Sequence, residues 1–162
     1  MIDFRSDTFT LPTETMRNRI ANTALGDDVF KEDPTVNKLE SIAANIMGKE
    51  AAILVPSGTM GNLASLLVHC SRGTEVILGN RSHTFLYEAG GISAFGGIHS
   101  RQLHNDDDGT IAIEDIKSAI RICDDHYPQT STISLENTHS NVSMSVEVNL
   151  HNLLIEIVIN ER

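Results

Sequence analysis

Leu54-Val55-Pro56-Ser57-Gly58-Thr59-Met60-Gly61-Asn62-Leu63 decides how this chain is read. An apolar segment, Ala51 to Val55, predicts a short strand that stops at a proline and a glycine. A helical pattern then starts at about Thr59, with Leu63, Leu66, Leu67 and Cys70 recurring on one face up to His69. A strand, a glycine-bearing turn and a helix start aim unpaired backbone N–H groups and a positive helix end at one point. Phosphates and carboxylates bind well in such a place. The plainer alternative is a capped helix, with Ser57 or Thr59 as the N-cap.

The same alternation continues on both sides. Asp33-Pro34 opens a helix as N-cap and first helical residue, Val36, Leu39, Ala43 and Ile46 repeat at helical spacing, and Gly48 stops it. Val76, Ile77 and Leu78 predict a buried strand leading into Arg81-Ser82-His83, and a short helix is expected from Phe85 to Gly90. Ile98 to Leu103 is a third strand, closed by the acidic turn Asn105 to Gly109. Ile113, Ile116 and Ile120 mark another helix, and Thr132 to Leu135 another strand. Strands alternating with helices of this length predict an α/β fold: a mainly parallel sheet with crossover helices. Ligands of such sheets bind beyond the carboxyl ends of the strands. Ser57 to Thr59, Asn80 to His83 and Glu136 to His139 occupy those ends.

Composition narrows the function. The 162 residues fit one domain, and a formal net charge of -10 argues against nucleic acid or an anionic membrane as the main partner. Cys70 and Cys123 form no CxxC metal pair and no disulfide framework, so a reducing, cytoplasmic setting is expected, with Cys70 as a buried small hydrophobe. The opening residues Met1 to Asp7 carry no apolar stretch of signal-peptide type, and Glu156 interrupts the most apolar run. Asp27, Asp28, Glu32 and Asp33 form an acidic cluster that could ligate a metal, and Asp27, Asp28 and Glu32 with His83 would make a hydrolase centre if they converged. No histidine stands beside it at ligand spacing, so capping and loop chemistry are favoured and no metal is expected. His126, in Asp124-Asp125-His126-Tyr127-Pro128, reads unaided as a solvated turn histidine.

A set of motifs then runs in order along residues 1–139: Arg5-Ser6-Asp7-Thr8, Gly26-Asp27-Asp28-Val29-Phe30, Glu32-Asp33-Pro34-Thr35-Val36-Asn37, Gly48-Lys49-Glu50-Ala51-Ala52, Ser57-Gly58-Thr59-Met60, Tyr87-Glu88-Ala89-Gly90-Gly91 and Glu136-Asn137-Thr138-His139. Together they resemble the amino-terminal portion of the L-threonine aldolases, lyases of fold type I that depend on pyridoxal 5'-phosphate. The family cleaves a β-hydroxy-α-amino acid such as L-threonine or allo-threonine to glycine and an aldehyde. The resemblance implies Gly58 and Thr59 at the cofactor phosphate, and His83 stacked on its ring near the substrate hydroxyl. His126 is implied as a second group at that hydroxyl, and Ser6 at the substrate carboxylate. It also implies a homo-oligomer. Phe30 stands where relatives commonly carry tyrosine, and Gly61 replaces a usual alanine.

Beyond residue 139 the resemblance stops, giving an expected division into 1–139, the amino-terminal part of the aldolase domain, and 140–162, a divergent tail. Ser140 to Arg162 contains neither the Asp-Gly-Ala-Arg segment nor the Ser-Lys-Gly segment whose lysine binds the cofactor covalently in the family. The chain's lysines are Lys31, Lys38, Lys49 and Lys117. The sequence therefore carries two expectations: an aldolase truncated before its covalent lysine, or an inactive fragment that at most binds phosphate or a partner subunit. Val146 to Ile159 of the tail reads as an additional strand.

Overall fold

The computed structural model describes residues 7–136, 139 and 157–158. The chain divides into two units, Met1–Leu54 and Val55–Arg162.

In the first unit, a 3₁₀ turn at Asp7–Phe9 precedes helices α1, Glu14–Ala21, and α2, Pro34–Met47. The sequence reading named no helix at α1, and the helix buries none of its residues. Its one legible signal is Thr13, whose side chain caps the Met16 N–H at 3.3 Å. For α2 the expected punctuation holds. Asp33 Oδ1 accepts from Thr35 and Val36 N–H, both at 2.9 Å, and Gly48 closes the helix at φ 61°. Asp33 Oδ2 also accepts from the Gly26 N–H at 3.1 Å, tying the acidic loop to the helix it caps. The Asp27 carboxylate takes the Val29 N–H at 2.8 Å, and Asp28 pairs with Lys31 at 3.7 Å. The acidic cluster is therefore cap and loop chemistry. Among the described residues, no group of three or more His, Cys, Asp or Glu could hold a metal.

These bonds give Asp33 a pH signature. The backbone N–H of Val36, then that of Gly26, hold its carboxyl below its ordinary value of 3.8. A carboxyl depressed in the folded state stabilises above its unfolded pKa, and that contribution disappears as the pH falls through the folded one. Asp33→Asn keeps an acceptor and loses the charge. Thermal melts followed at 222 nm between pH 2 and 6 should therefore show a shallower acid limb in the variant than in the parent. Parallel acid limbs would contradict this role for Asp33.

The strand expected at Ala51 to Val55 is absent, which corrects the sequence reading. A strand exists through its ladder, and this segment has no ladder partner among the described residues. The Leu54 N–H donates instead to Glu40 Oε1 at 2.8 Å, while Ile53 stays 77% exposed.

The second unit carries the sheet. Its elements are α3, Gly58–His69; β1, Glu75–Gly79; α4, His83–Leu86; a π-helical turn at Ile92–Gly96; β2, His99–Leu103; α5, Ile113–Ala119; β3, Thr130–Ser134; and β4, Ile157–Val158. The strand order is β2-β1-β3-β4. β1 runs parallel to β2 and to β3, and β4 pairs antiparallel with β3 through Ile133↔Ile157 and Thr132↔Val158. This is the expected α/β arrangement with crossover helices. The helix expected from Phe85 to Gly90 instead spans His83 to Leu86 and closes at Tyr87, whose φ of -121° leaves the helical region; Ala89 at φ 53° and Gly90 at φ 66° are left-handed and keep it from resuming. Of the expected tail strand, only Ile157–Val158 falls among the described residues.

The pleat of β1 divides the core. Val76 and Leu78 pack with Leu66 and Cys70 of the α3 region and with Ile92 and Ile98, and Phe85 of α4 leans on that cluster. Ile77 points to the other face, where it meets Ala119 of α5 and Ile133 of β3. Every residue of β1 is buried, as suits a central parallel strand covered on both faces.

Candidate functional site

Three strand ends lace together the loop that carries His83. After β1, the Asn80 N–H donates to the Leu103 carbonyl at 2.7 Å. Asn105, buried beyond β2, accepts from the Arg81 N–H at 2.9 Å and donates its own N–H to Asn80 Oδ1 at 3.2 Å. The Asn105 amide lies so close to Gly79 that a Cβ there would stand 2.2 Å from its Oδ1. Only glycine fits. Beyond β3, Glu136 Oε2 accepts from the His83 N–H at 2.5 Å. An acidic side chain at the first N–H of α4 suits the unpaired donors of a helix start. His83 is thus fixed at the carboxyl edge of the sheet, where a parallel α/β sheet presents its ligands.

Its ring is held as firmly as its backbone. His83 Nδ1 lies 2.9 Å from Glu88 Oε1, and the same oxygen accepts from Asn62 Nδ2 at 2.7 Å. The Glu88 side chain is 3% exposed and that of His83 45%. Tyr87 adds a tilted ring contact to His83, with centroids 5.5 Å apart. Asn62 belongs to α3, one turn beyond Gly58 and Thr59. Glu88 therefore connects the helix of the predicted anion site to the predicted histidine.

At the start of α3 the plainer alternative, a capped helix, is the one observed. Ser57 is the N-cap, its Oγ accepting from the Met60 N–H at 3.1 Å, and its carbonyl takes the Gly61 N–H. The N–H groups of Gly58 and Thr59 take no partner among the described residues, and nothing lies within 4 Å of where a Gly58 Cβ would point. Two free donors at a positive helix end, beside open space, suit a phosphate.

The other predicted residues fall elsewhere. Ser6 lies outside the described residues. His126 stands before β3, with its side chain 88% exposed and its Nδ1 2.7 Å from Asp124 Oδ1. Its neighbour Tyr127 lies under the Arg121 guanidinium, which binds Glu75 at the first residue of β1. The structure therefore places His126 at the amino-terminal edge of the sheet and His83 at the carboxyl edge, and does not bring them together. Glu88 and Glu136 were not singled out in the sequence as functional residues. Both sit in quoted motifs, and their position beside strand ends was the available signal. A hollow of about 500 Å³ lies inside the first unit, lined by residues such as Asn37, Glu40 and Lys49, and holds none of the predicted groups.

The family described as beta-eliminating lyase matches residues 3–148. The low-specificity L-threonine aldolase 1 of Arabidopsis thaliana is 52% identical over 143 residues, which are 86% of this chain and 40% of that protein. The low specificity L-threonine aldolase of Escherichia coli K12 is 45% identical over 140 residues, 86% of this chain and 42% of that protein. A solved structure from Listeria monocytogenes, provisionally named an L-allo-threonine aldolase, superposes with a TM-score of 0.55 at 25% identity, covering 65% of this chain and 30% of that one. The chain spans about two fifths of the length of the curated relatives it matches. On the match over residues 3–148, the chain belongs to the beta-eliminating lyase family, with similar relatives that are named L-threonine aldolases.

Proposed function

We propose that this chain supplies the phosphate cradle and the ring-side histidine of an L-threonine aldolase that cleaves L-threonine or allo-threonine to glycine and acetaldehyde. The carrying observation is the line from the free Gly58 and Thr59 N–H groups through Asn62 and Glu88 to His83. The family's cofactor is pyridoxal phosphate, and the open, donor-rich start of α3 fits its phosphate. When bound, that group takes up the electron pair left by Cα–Cβ cleavage. The chain's own residues do the rest of this half of the work. Gly58 and Thr59 orient the phosphate, and His83 offers a ring nitrogen to the β-hydroxyl proton. Ser6 takes the substrate carboxylate in this reading, and residues 1–139 form the aldolase part of the chain. His126 stands at the other sheet edge, so it joins the hydroxyl only if a second copy presents it. The exposed Leu39, Ile46 and Phe30 of the first unit favour such a homo-oligomer. The free Cys70 and Cys123 favour a reducing, cytoplasmic setting.

The second reading is an inert fragment, and the lysines favour it for the chain by itself. None of the four matches the family's covalent lysine in the resemblance, and Lys117 lies exposed on α5, paired with Glu114 at 2.9 Å. Purified chain mixed with pyridoxal phosphate should therefore bind it reversibly, in competition with inorganic phosphate, and retain none after dialysis. Gly58→Asp, which sets a negative charge at the helix start, should abolish the reversible binding. Cofactor fixed by borohydride to one of the four lysines would overturn this assignment.

A further inference from the structure

We propose that Glu88 is a positioning residue that locks the His83 ring in one tautomer, with the proton on Nδ1 and Nε2 left as the free acceptor. The side chain of Glu88 is buried, and its Oε1 already accepts from Asn62 Nδ2 at 2.7 Å. An amide NH₂ only donates, so this oxygen acts as an acceptor. The second group on the same oxygen, His83 Nδ1 at 2.9 Å, must then bring the proton. Which nitrogen of a neutral imidazole stays free is decided by the bond the other one makes. Nε2 has no partner among the described residues, and the ring is 45% exposed, so the acceptor nitrogen is available to a ligand.

The backbone around Glu88 is built for this contact. Ala89 follows it at φ 53°, a left-handed conformation that a residue with a Cβ adopts at a cost, and Gly90 continues at φ 66°. This turn follows the end of α4, and Glu88 bonds both His83 and Asn62. Glu136 fixes the His83 N–H from the opposite side of the chain. Backbone and ring are thus held by separate carboxylates from separate strand connections. An unconstrained histidine in water favours the opposite tautomer, with the proton on Nε2, and would present a donor where this site presents an acceptor. The use of that acceptor on a substrate hydroxyl rests on the aldolase reading; the tautomer does not.

The test is long-range proton–nitrogen NMR on the chain labelled with ¹⁵N-histidine at pH 8, above the ordinary imidazole pKa of about 6.5. His83→Gln identifies the His83 signals by deleting them. The expected wild-type spectrum has a pyrrole-type Nδ1 and a pyridine-type Nε2 at His83. Glu88→Met removes the acceptor at similar volume and should return the ring to mainly Nε2–H, while Glu88→Gln, which keeps a carbonyl oxygen, should retain Nδ1–H. Ile133→Val, a mild change on the opposite sheet face, should leave the tautomer unchanged. A wild-type His83 with its proton on Nε2 overturns the proposal, and this arm needs no folded variant. A folded Glu88→Met chain that keeps Nδ1–H overturns it as well. The measurement uses neither cofactor nor substrate, so its failure leaves the aldolase reading standing, and loss of the aldolase reading leaves the tautomer standing.

Discussion

Replacing Glu75 with alanine is expected to cost about 3–5 kcal/mol, the loss typical when one partner of a buried ionic cluster is removed. Glu75 opens β1 and is fully buried. Its Oε2 accepts from Arg121 Nη2 at 3.2 Å and Nε at 3.3 Å, and its Oε1 accepts from Thr130 Oγ1 at 3.2 Å. Arg101 stands 3.8 Å away and His99 3.6 Å away. One carboxylate therefore joins β1 to β2, to β3 and to the segment after α5. Without it, the Arg121 side chain, 25% exposed, and the Arg101 side chain, 30% exposed, face each other beside a void. Their partial exposure allows some rehydration, which places the loss toward the lower end of the range. Marginal stability makes even that a large fraction of the total. Urea unfolding followed by circular dichroism measures it, and a loss under about 1 kcal/mol would contradict the role given to this cluster.

The central strand of the sheet was legible because its core is a continuous apolar run. Val76-Ile77-Leu78 has no polar interruption, as a strand covered on both faces requires, and the structure covers both. The boundaries of α2 were legible because Asp33, Pro34 and Gly48 act through local geometry. Helix α1 was not, since its apolar spacing is limited to Met16 and Ile20 and it buries none of its residues. Ala51 to Val55 misled for the converse reason. Its composition suits a strand, but a ladder partner is a tertiary fact that composition does not contain.

The site was legible in outline. The free N–H groups at Gly58 and Thr59 follow from the helix start, the glycine and the serine cap, all visible in ten consecutive residues. His83 was legible as a residue after a strand. The partners that hold it were not, because Asn62 and Glu88 are 26 positions apart and Glu136 is 53 positions from His83. For His126 the sequence context and the resemblance point to different surroundings. Its sequence context gave a solvated turn, which is where it stands, and the structure leaves it far in topology from His83.

In an intact aldolase built around this chain, His83→Ala should lower kcat by about 10² to 10⁴, the usual contribution of a positioned proton acceptor. Among the described residues the His83 ring makes one hydrogen bond, to Glu88, and its side chain is 45% exposed, so its removal should leave the fold standing. The loss should therefore fall on kcat, with an unchanged melting temperature within a degree or so. A variant within about threefold of its parent would remove His83 from the proton path and leave it a packing group beside the cofactor.

The most direct test of the central claim is a chimera in which residues 1–139 replace the matching segment of the Escherichia coli relative, which supplies the remainder of the domain. Its acetaldehyde and glycine release from L-threonine is then measured with bound pyridoxal phosphate. The expected result is a folded, cofactor-bearing chimera that cleaves threonine, with Gly58→Asp losing the cofactor and His83→Ala keeping it. A folded chimera that holds the cofactor and releases no acetaldehyde would contradict the claim that this chain carries half of an aldolase site.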